Sequence, residues 1–467
     1  MNTETIAAIA TAMTNSGIGI IRISGEDAVS VVDKIYRSKN KTKKLSNCKS
    51  HTMHYGFIYD GDELIDEVMV AIMKAPNSFT TEDSVEIDCH GGVLVMNRIL
   101  ETVIKNGARI AEPGEFTKRA FLNGRIDLSK AEAVLDIIHA KNEYALKSSI
   151  NQLNGTLSNK ISSIREKIIF EIAFIESALD DPEHISIDGY SEKLKVTILD
   201  CSEKIDKLIT SSDNGKILKE GINTVILGKP NAGKSSLLNL LVGEEKAIVT
   251  NIAGTTRDIL EESIKLHGIG LNIIDTAGIR KTEDVVEKIG VQKAVKYASD
   301  ADLLIYVVDS SVLLDESDKD IISMLKEKKT IILLNKTDLD SVVTEDSILE
   351  ELIKGSVNSS GITKIIKTST KENIGIDIFE DTIKEMFFHG ELSFNDEIFI
   401  TNMRHKEALI DTLNSLKMVL KSIDDDMPED FYSIDLMSAY ASLGYIIGEE
   451  VGEDLVNEIF SKFCMGK

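Results

Sequence analysis

One octapeptide constrains this chain more than any other feature: Gly228-Lys-Pro-Asn-Ala-Gly-Lys-Ser235, the spacing GxxxxGKS. It follows the apolar run Thr224-Val-Ile-Leu227 and precedes Ser236-Leu-Leu-Asn-Leu-Leu241, so a strand leads in and a helix leads out. In that context the glycines let main-chain N–H groups wrap phosphates. Lys234 reaches the outer phosphates, Ser235 ligates Mg²⁺, and the helix N-terminus adds positive potential. Such a loop belongs in a doubly wound, mostly parallel sheet. Residues 220–380 supply one: Thr224-Val-Ile-Leu227, Leu271-Asn-Ile-Ile274, Leu303-Leu-Ile-Tyr-Val-Val308, Ile331-Ile-Leu-Leu334 and Ile365-Ile366 read as strands, mostly separated by helical stretches.

Four further motifs follow in order. Gly254-Thr-Thr-Arg-Asp258 offers Thr256 to complete the Mg²⁺ shell and sense a γ-phosphate. Asp275-Thr276-Ala277-Gly278 closes a strand; Asp275 would hold Mg²⁺ through water and the Gly278 amide would meet the γ-phosphate. Asn335-Lys336-Thr337-Asp338 decides the base, because one carboxylate accepts from both guanine N1–H and the exocyclic amine. Adenine lacks that donor pair, and such a mismatch costs factors of roughly 10⁴–10⁵. Ser369-Thr370-Lys371 is the fifth motif, with Thr where Ala is usual. The expected GTP-binding set is Asn231, Ala232, Gly233, Lys234, Ser235, Ser236, Thr250, Asn251, Ile252, Ala253, Gly254, Thr255, Thr256, Asp275, Thr276, Ala277, Gly278, Asn335, Lys336, Thr337, Asp338, Ser369, Thr370 and Lys371. Ras-like enzymes orient water with a Gln directly after the third motif. Here that position is Ile279, and the acidic residues that follow, Glu283, Asp284 and Glu287, read on composition alone as solvated switch residues.

The 467 residues suggest two to four domains at roughly 100–200 residues each. Residues 1–120 mix short β-branched runs with turns and read as an α+β domain. Residues 121–219 and 381–467 read as helical, so the α/β domain is inserted into a discontinuous helical domain. Ser129 with Glu132 reads as a capping box opening the first long helical segment. A net charge of −24 repels nucleic-acid phosphates, so an RNA substrate would need a local patch or a basic partner. The basic run Arg37–Lys44 reads as a solvated loop. The four cysteines form no CxxC pair, no apolar run approaches the ~18 residues of a membrane span, and no basic leader opens the chain, so the cytoplasm is expected.

Outside the nucleotide motifs stand three more segments. They are Pro76-Asn-Ser-Phe-Thr with Glu82-Asp83 and His90-Gly-Gly92; Pro113-Gly-Glu-Phe-Thr-Lys-Arg-Ala-Phe-Leu-Asn-Gly-Arg-Ile-Asp-Leu128; and the terminal Cys464-Met-Gly-Lys467. With these the whole chain resembles the tRNA modification GTPases of the MnmE (TrmE) family. The resemblance implies a homodimerising N-terminal domain that binds a 5-formyl-tetrahydrofolate-type reduced folate through Arg22, Glu86, Arg125 and Lys467. It implies K⁺-stimulated, Mg²⁺-dependent GTP hydrolysis, with K⁺ at Asn231, Thr250, Ile252 and Thr255, Mg²⁺ at Ser235 and Thr256, and Glu287 positioning water beside Lys234 and Thr256. It also implies action with an FAD-containing MnmG-type partner, as a heterotetramer, on the wobble uridine of tRNA, with the partner making much of the tRNA contact. The alternative is a GTP-dependent ribosome-assembly or RNA-chaperone factor, which would normally carry a basic RNA-binding domain that this sequence lacks.

Overall fold

The computed structural model describes residues 4–39, 43–184, 189–244, 261–266, 269–275, 297–325, 328–354, 363–388, 399–464 and 466. The chain divides into two compact units: residues 1–138, 149–202 and 411–467 form one, and residues 139–148 and 203–410 the other.

The first unit holds a seven-stranded sheet built from β1 (Ile6–Ile9), β2 (Ser16–Ser24), β3 (Tyr36–Ser38), β4 (Thr52–Asp60), β5 (Glu63–Met73), β6 (Ser84–Gly91) and β7 (Arg109–Ile110). Their order is β3-β4-β5-β6-β2-β1-β7, antiparallel except for the β1–β7 pair. Alternation along β2 and β6 buries Ile21, Ile23, Val85 and Ile87 against the helices Ala28–Ile35 and Val93–Lys105. The same alternation leaves Arg22 and Glu86, directly opposite one another in register, on the other face.

In the helical part of this unit, Thr156–Asp180 presents Leu157, Ile161, Ile164, Ile168, Ile172 and Ile175 at helical spacing, and it packs along Glu429–Ile447. The helix Leu128–His139 is capped differently from the reading above. Asp127 accepts from Lys130 N at 2.9 Å and from Ser129 Oγ at 2.6 Å, while Ser129 is buried inside the first turn. A carboxylate two positions earlier outcompetes the hydroxyl for the free amides and complements the helix dipole.

The second unit carries β8 (Ile222–Leu227), β9 (Glu261–Leu266), β10 (Ile269–Asp275), β11 (Leu303–Asp309), β12 (Thr330–Asn335) and β13 (Thr363–Lys367) in the order β13-β12-β11-β8-β10-β9. Five strands are parallel, and β9 adds an antiparallel edge that the strand pattern had not revealed. Consecutive residues of β11 are buried on both faces, Ile305 and Val307 in one core and Leu304, Tyr306 and Val308 in the other, as a sheet covered by helices on both sides requires.

A charge network ties together the signature segments of the first unit. Glu115, only 7% exposed, accepts from Arg109 Nη2 at 2.5 Å and Arg119 Nη2 at 3.0 Å, and Arg119 Nη1 reaches Glu82 at 3.0 Å. Burial by itself would raise the Glu115 carboxyl, but the bonds from Arg109, the Glu112 amide and Arg119 outweigh it and hold it at about 2, below the ordinary 4.5. Its contribution is therefore complete above pH 4.5 and is lost as pH falls toward 2. Glu115→Gln is expected to cost on the order of 3 kcal/mol at neutral pH. Denaturant melts across pH should show this gap closing below pH 4.5; a gap that stays constant would assign the loss to shape rather than charge.

Candidate functional site

The first, fourth and fifth nucleotide motifs gather at the carboxyl ends of the parallel strands, where open α/β sheets bind ligands. Between β8 and the helix Lys234–Glu244, the loop turns through left-handed conformations at Asn231 (φ 63°) and Gly233 (φ 109°). Gly233 is required for space as well: a Cβ there would collide with the Asn335 side-chain amide. Lys234 Nζ folds back over the loop and donates to the carbonyls of Gly228 and Lys229, both at 2.7 Å.

Asn335, 1% exposed at the end of β12, joins three loops. Its Nδ2 donates to Ala232 O at 2.9 Å and lies 3.4 Å from Thr370 Oγ1, while its Oδ1 accepts from Thr370 N at 3.1 Å. Thr337 Oγ1 and N both donate to Thr368 O, so the fourth and fifth motifs are locked together twice. Ser369 Oγ donates to Asp338 Oδ1 at 2.8 Å and holds that carboxyl below its ordinary value, with Lys371 and Lys336 adding to the effect. An ionised carboxylate with its second oxygen available is the acceptor that a guanine edge requires. Lys336 Nζ pairs with Asp309 at 2.5 Å. Burial would raise the Asp309 carboxyl, yet bonds from Lys336 and Ser311 keep it lowered.

A cavity of about 670 Å³ runs from Asn231, Gly233, Lys234, Ser235 and Ser236 to Asn335, Lys336, Asp338, Thr370 and Lys371. Asp275 ends β10 level with Ile226 of β8, at the same sheet end. Three contributors were not picked out from the sequence. Leu339 and Pro230 line the cavity, and Asp309 anchors Lys336. Asp309 could have been found as the polar residue ending an otherwise apolar strand. The expected positions Thr250–Thr256, Thr276–Gly278, Glu287 and Lys467 lie outside the described residues.

In the first unit, Arg22 Nε pairs with Glu86 at 2.7 Å, Arg22 Nη1 donates to Gly466 O at 3.2 Å, and the guanidinium stands 5.8 Å from the Phe116 ring. Gly466 (φ 86°) is buried, and a Cβ there would stand 2.5 Å from Ile9 O, so Gly466 is seated against β1. Arg125 is held elsewhere. It donates to Phe79 O at 3.0 Å, lies over the Phe79 ring and lines a separate cavity of about 560 Å³ with Pro76, Asn77 and Ser78. Phe79 packs on the small core of Ile6, Ala8, Ala111 and Phe116.

The profile described as "GTP-binding protein TrmE N-terminus" matches residues 5–125, and that of the "MnmE helical domain" matches residues 128–464. The chain is 59% identical over its full length to the full-length tRNA modification GTPase MnmE of Lachnoclostridium phytofermentans, and 50% identical to that of Acetivibrio thermocellus over 99% of both chains. The chain belongs to the tRNA modification GTPase MnmE family. Among solved structures, Aquifex aeolicus Era bound to GDP·AlF4⁻ is 26% identical over 42% of this chain and 67% of its own, with a TM-score of 0.28, too low to bear on the fold. No helix among the described residues is long and apolar enough to cross a membrane.

The Asp338 geometry yields a base-specificity test. Asp338→Asn presents a donor where guanine also donates, and should weaken GTP binding by on the order of 10⁴-fold. It should gain affinity for xanthosine triphosphate, whose C2 carbonyl accepts. Fluorescent-nucleotide competition with both triphosphates reads the exchange; equal losses for both would mean that the loop, not the base contact, was damaged.

Proposed function

We propose that this GTPase is the GTP-hydrolysing subunit that, with an FAD-containing MnmG-type protein, adds an aminomethyl or carboxymethylaminomethyl group to carbon 5 of the wobble uridine, position 34, of tRNA. The observation that carries the GTP half is the convergence of Lys234, Asn335 and Asp338 on one cavity, with the Asp338 carboxylate ionised beside Ser369. Lys234 and the loop amides bind and orient the phosphates. Asn335 keeps the loop in shape, and Asp338 selects guanine. Ser235, at the cavity wall where the helix begins, fits a Mg²⁺ ligand, with Thr256 as its partner. The bound metal supplies charge neutralisation at the phosphates. Asn231, also in the wall, offers an amide oxygen for K⁺ together with Thr250, Ile252 and Thr255. Glu287 is the carboxylate assigned to hold the attacking water.

The proposed organisation is a folate-binding and dimerising segment at 1–120, helical segments at 121–219 and 381–467, and a G domain at 220–380. Arg22, with Glu86 opposite it and the buried Gly466 carbonyl beside it, fits the polar end of a reduced folate, with Lys467 as a further member of the set, while Arg125 stands apart beside Phe79. The family's full-length match disfavours the ribosome-assembly reading. A cytoplasmic homodimer that forms a heterotetramer with its partner completes the proposal.

In a strain lacking this chain, mass spectrometry of tRNA nucleosides should show the wobble uridine without its carbon-5 substituent, and purified protein should hydrolyse GTP faster in K⁺ than in Na⁺ at equal ionic strength. Intact modification, or equal rates in the two salts, would sink the corresponding half. Removing residues 464–467 should weaken binding of a reduced folate in calorimetric titrations while leaving GTP affinity near normal. Unchanged folate affinity would remove the tail from that site.

A further inference from the structure

The second residue of the phosphate loop, Lys229, does not line the nucleotide cavity. Its ammonium points to the helix Glu316–Met324. There it meets Asp318 at 2.6 Å and Asp315 at 3.0 Å, and its side chain is 18% exposed. Asp318 is 1% exposed, and its carboxylate also accepts from Tyr306 Oη at 2.7 Å and from Asp315 N at 2.9 Å. Asp315 is the N-cap of that helix in a reciprocal capping box with Asp318, so the acidic pair is fixed by the helix start and cannot follow the loop. Tyr306 lies on β11, the strand beside β8 that feeds the phosphate loop. The carbonyl of Lys229 is one of the two that receive Lys234 Nζ.

These contacts make a continuous chain: Tyr306, Asp318, the Lys229 ammonium, the Lys229 main chain, Lys234. A buried carboxylate stands directly behind a loop whose purpose is to accept a polyphosphate. Unpaired, Asp318 would repel that anion through a medium that screens poorly. Burial opposes the charge on Lys229, but its bonds to Asp318 and Asp315 more than offset this, so the cation persists through the physiological range.

We propose that Lys229 is a positioning residue for phosphate binding. From outside the cavity it neutralises Asp318 and ties the phosphate loop to the helix Glu316–Met324, so that the loop amides and Lys234 face the polyphosphate. The inference rests on the cavity being the GTP site, which the unaltered protein tests independently by binding GTP.

The test is a double-mutant cycle on the full chain, with equilibrium binding of GTP, GDP and guanosine and thermal melts of every variant. Lys229→Met should weaken GTP and GDP by about tenfold and leave guanosine unchanged, in a domain that stays folded at the assay temperature but melts lower than the parent because Asp318 is left buried without its cation. Lys229→Arg should restore most of the affinity. Asp318→Asn should alter GTP binding little by itself. Combined with Lys229→Met it should return GTP affinity to within about threefold of the parent, because the charge that Lys229 compensates is gone. Guanosine weakened as much as GTP would overturn the proposal by showing general damage to the domain. Failure of Asp318→Asn to rescue Lys229→Met would also overturn it, since Lys229 would then act on phosphate directly. If the unaltered protein bound no GTP, the site assignment rather than this network would have failed.

Discussion

The nucleotide site depends on one buried side chain. Asn335 holds the Ala232 carbonyl with its amide nitrogen and the Thr370 amide with its amide oxygen. A loop with left-handed turns at Asn231 and Gly233 is costly to maintain. Fixing the carbonyl between those two turns keeps the loop amides directed outward. A charged residue in place of Asn335 would meet one partner of the wrong polarity, and a shorter one would reach neither. Asp338 and Ser369 are aligned on the guanine-binding side because Asn335 and Thr337 have already fixed the segments that carry them.

Around that staple, the cations are held by acceptors of the protein itself. Lys234 rests on two carbonyls, Lys336 on Asp309, and Lys229 on Asp318 and Asp315. In a chain with a net charge of −24, positive potential at the phosphate loop must be local, built from main-chain amides, a helix N-terminus and a few oriented lysines. The first unit uses charge differently. There Arg109, Glu115, Arg119 and Glu82 neutralise one another around the buried Glu115–Arg119 pair and join the segment around Phe79 to the helix Glu115–Leu122. Arg22, paired with Glu86 near Phe116, and Arg125, over the Phe79 ring, are held by different partners rather than in one cluster.

Much was legible in the chain itself. The five nucleotide motifs, their order and their strand contexts established a parallel sheet with a guanine nucleotide at its carboxyl edge. They could do so because each motif is local, a few residues whose spacing is dictated by a phosphate, a metal or a base. The signature segments at 76–83 and 113–128 identified the family for a similar reason. Periodicity was less informative at edges. β9 carries only six residues, and its partner is found by hydrogen bonding alone. At the start of Leu128–His139 the competition between Asp127 and Ser129 for the same amides could be settled only in three dimensions.

By itself, then, the sequence determined the chemistry: which nucleotide, which phosphate ligands, which family. Tertiary structure decided the pairings between residues far apart in the chain. Arg22 faces Glu86 through strand register, Gly466 closes on β1, Lys229 after β8 finds Asp318 beyond the neighbouring strand β11, and Asn335 reaches Ala232. Such partners are separated by loops whose length leaves no mark on local pattern. A charge is also written the same way whether it ends up solvated or buried. Only the packing of both faces of each sheet determines which carboxylates lose water and must take a cation instead.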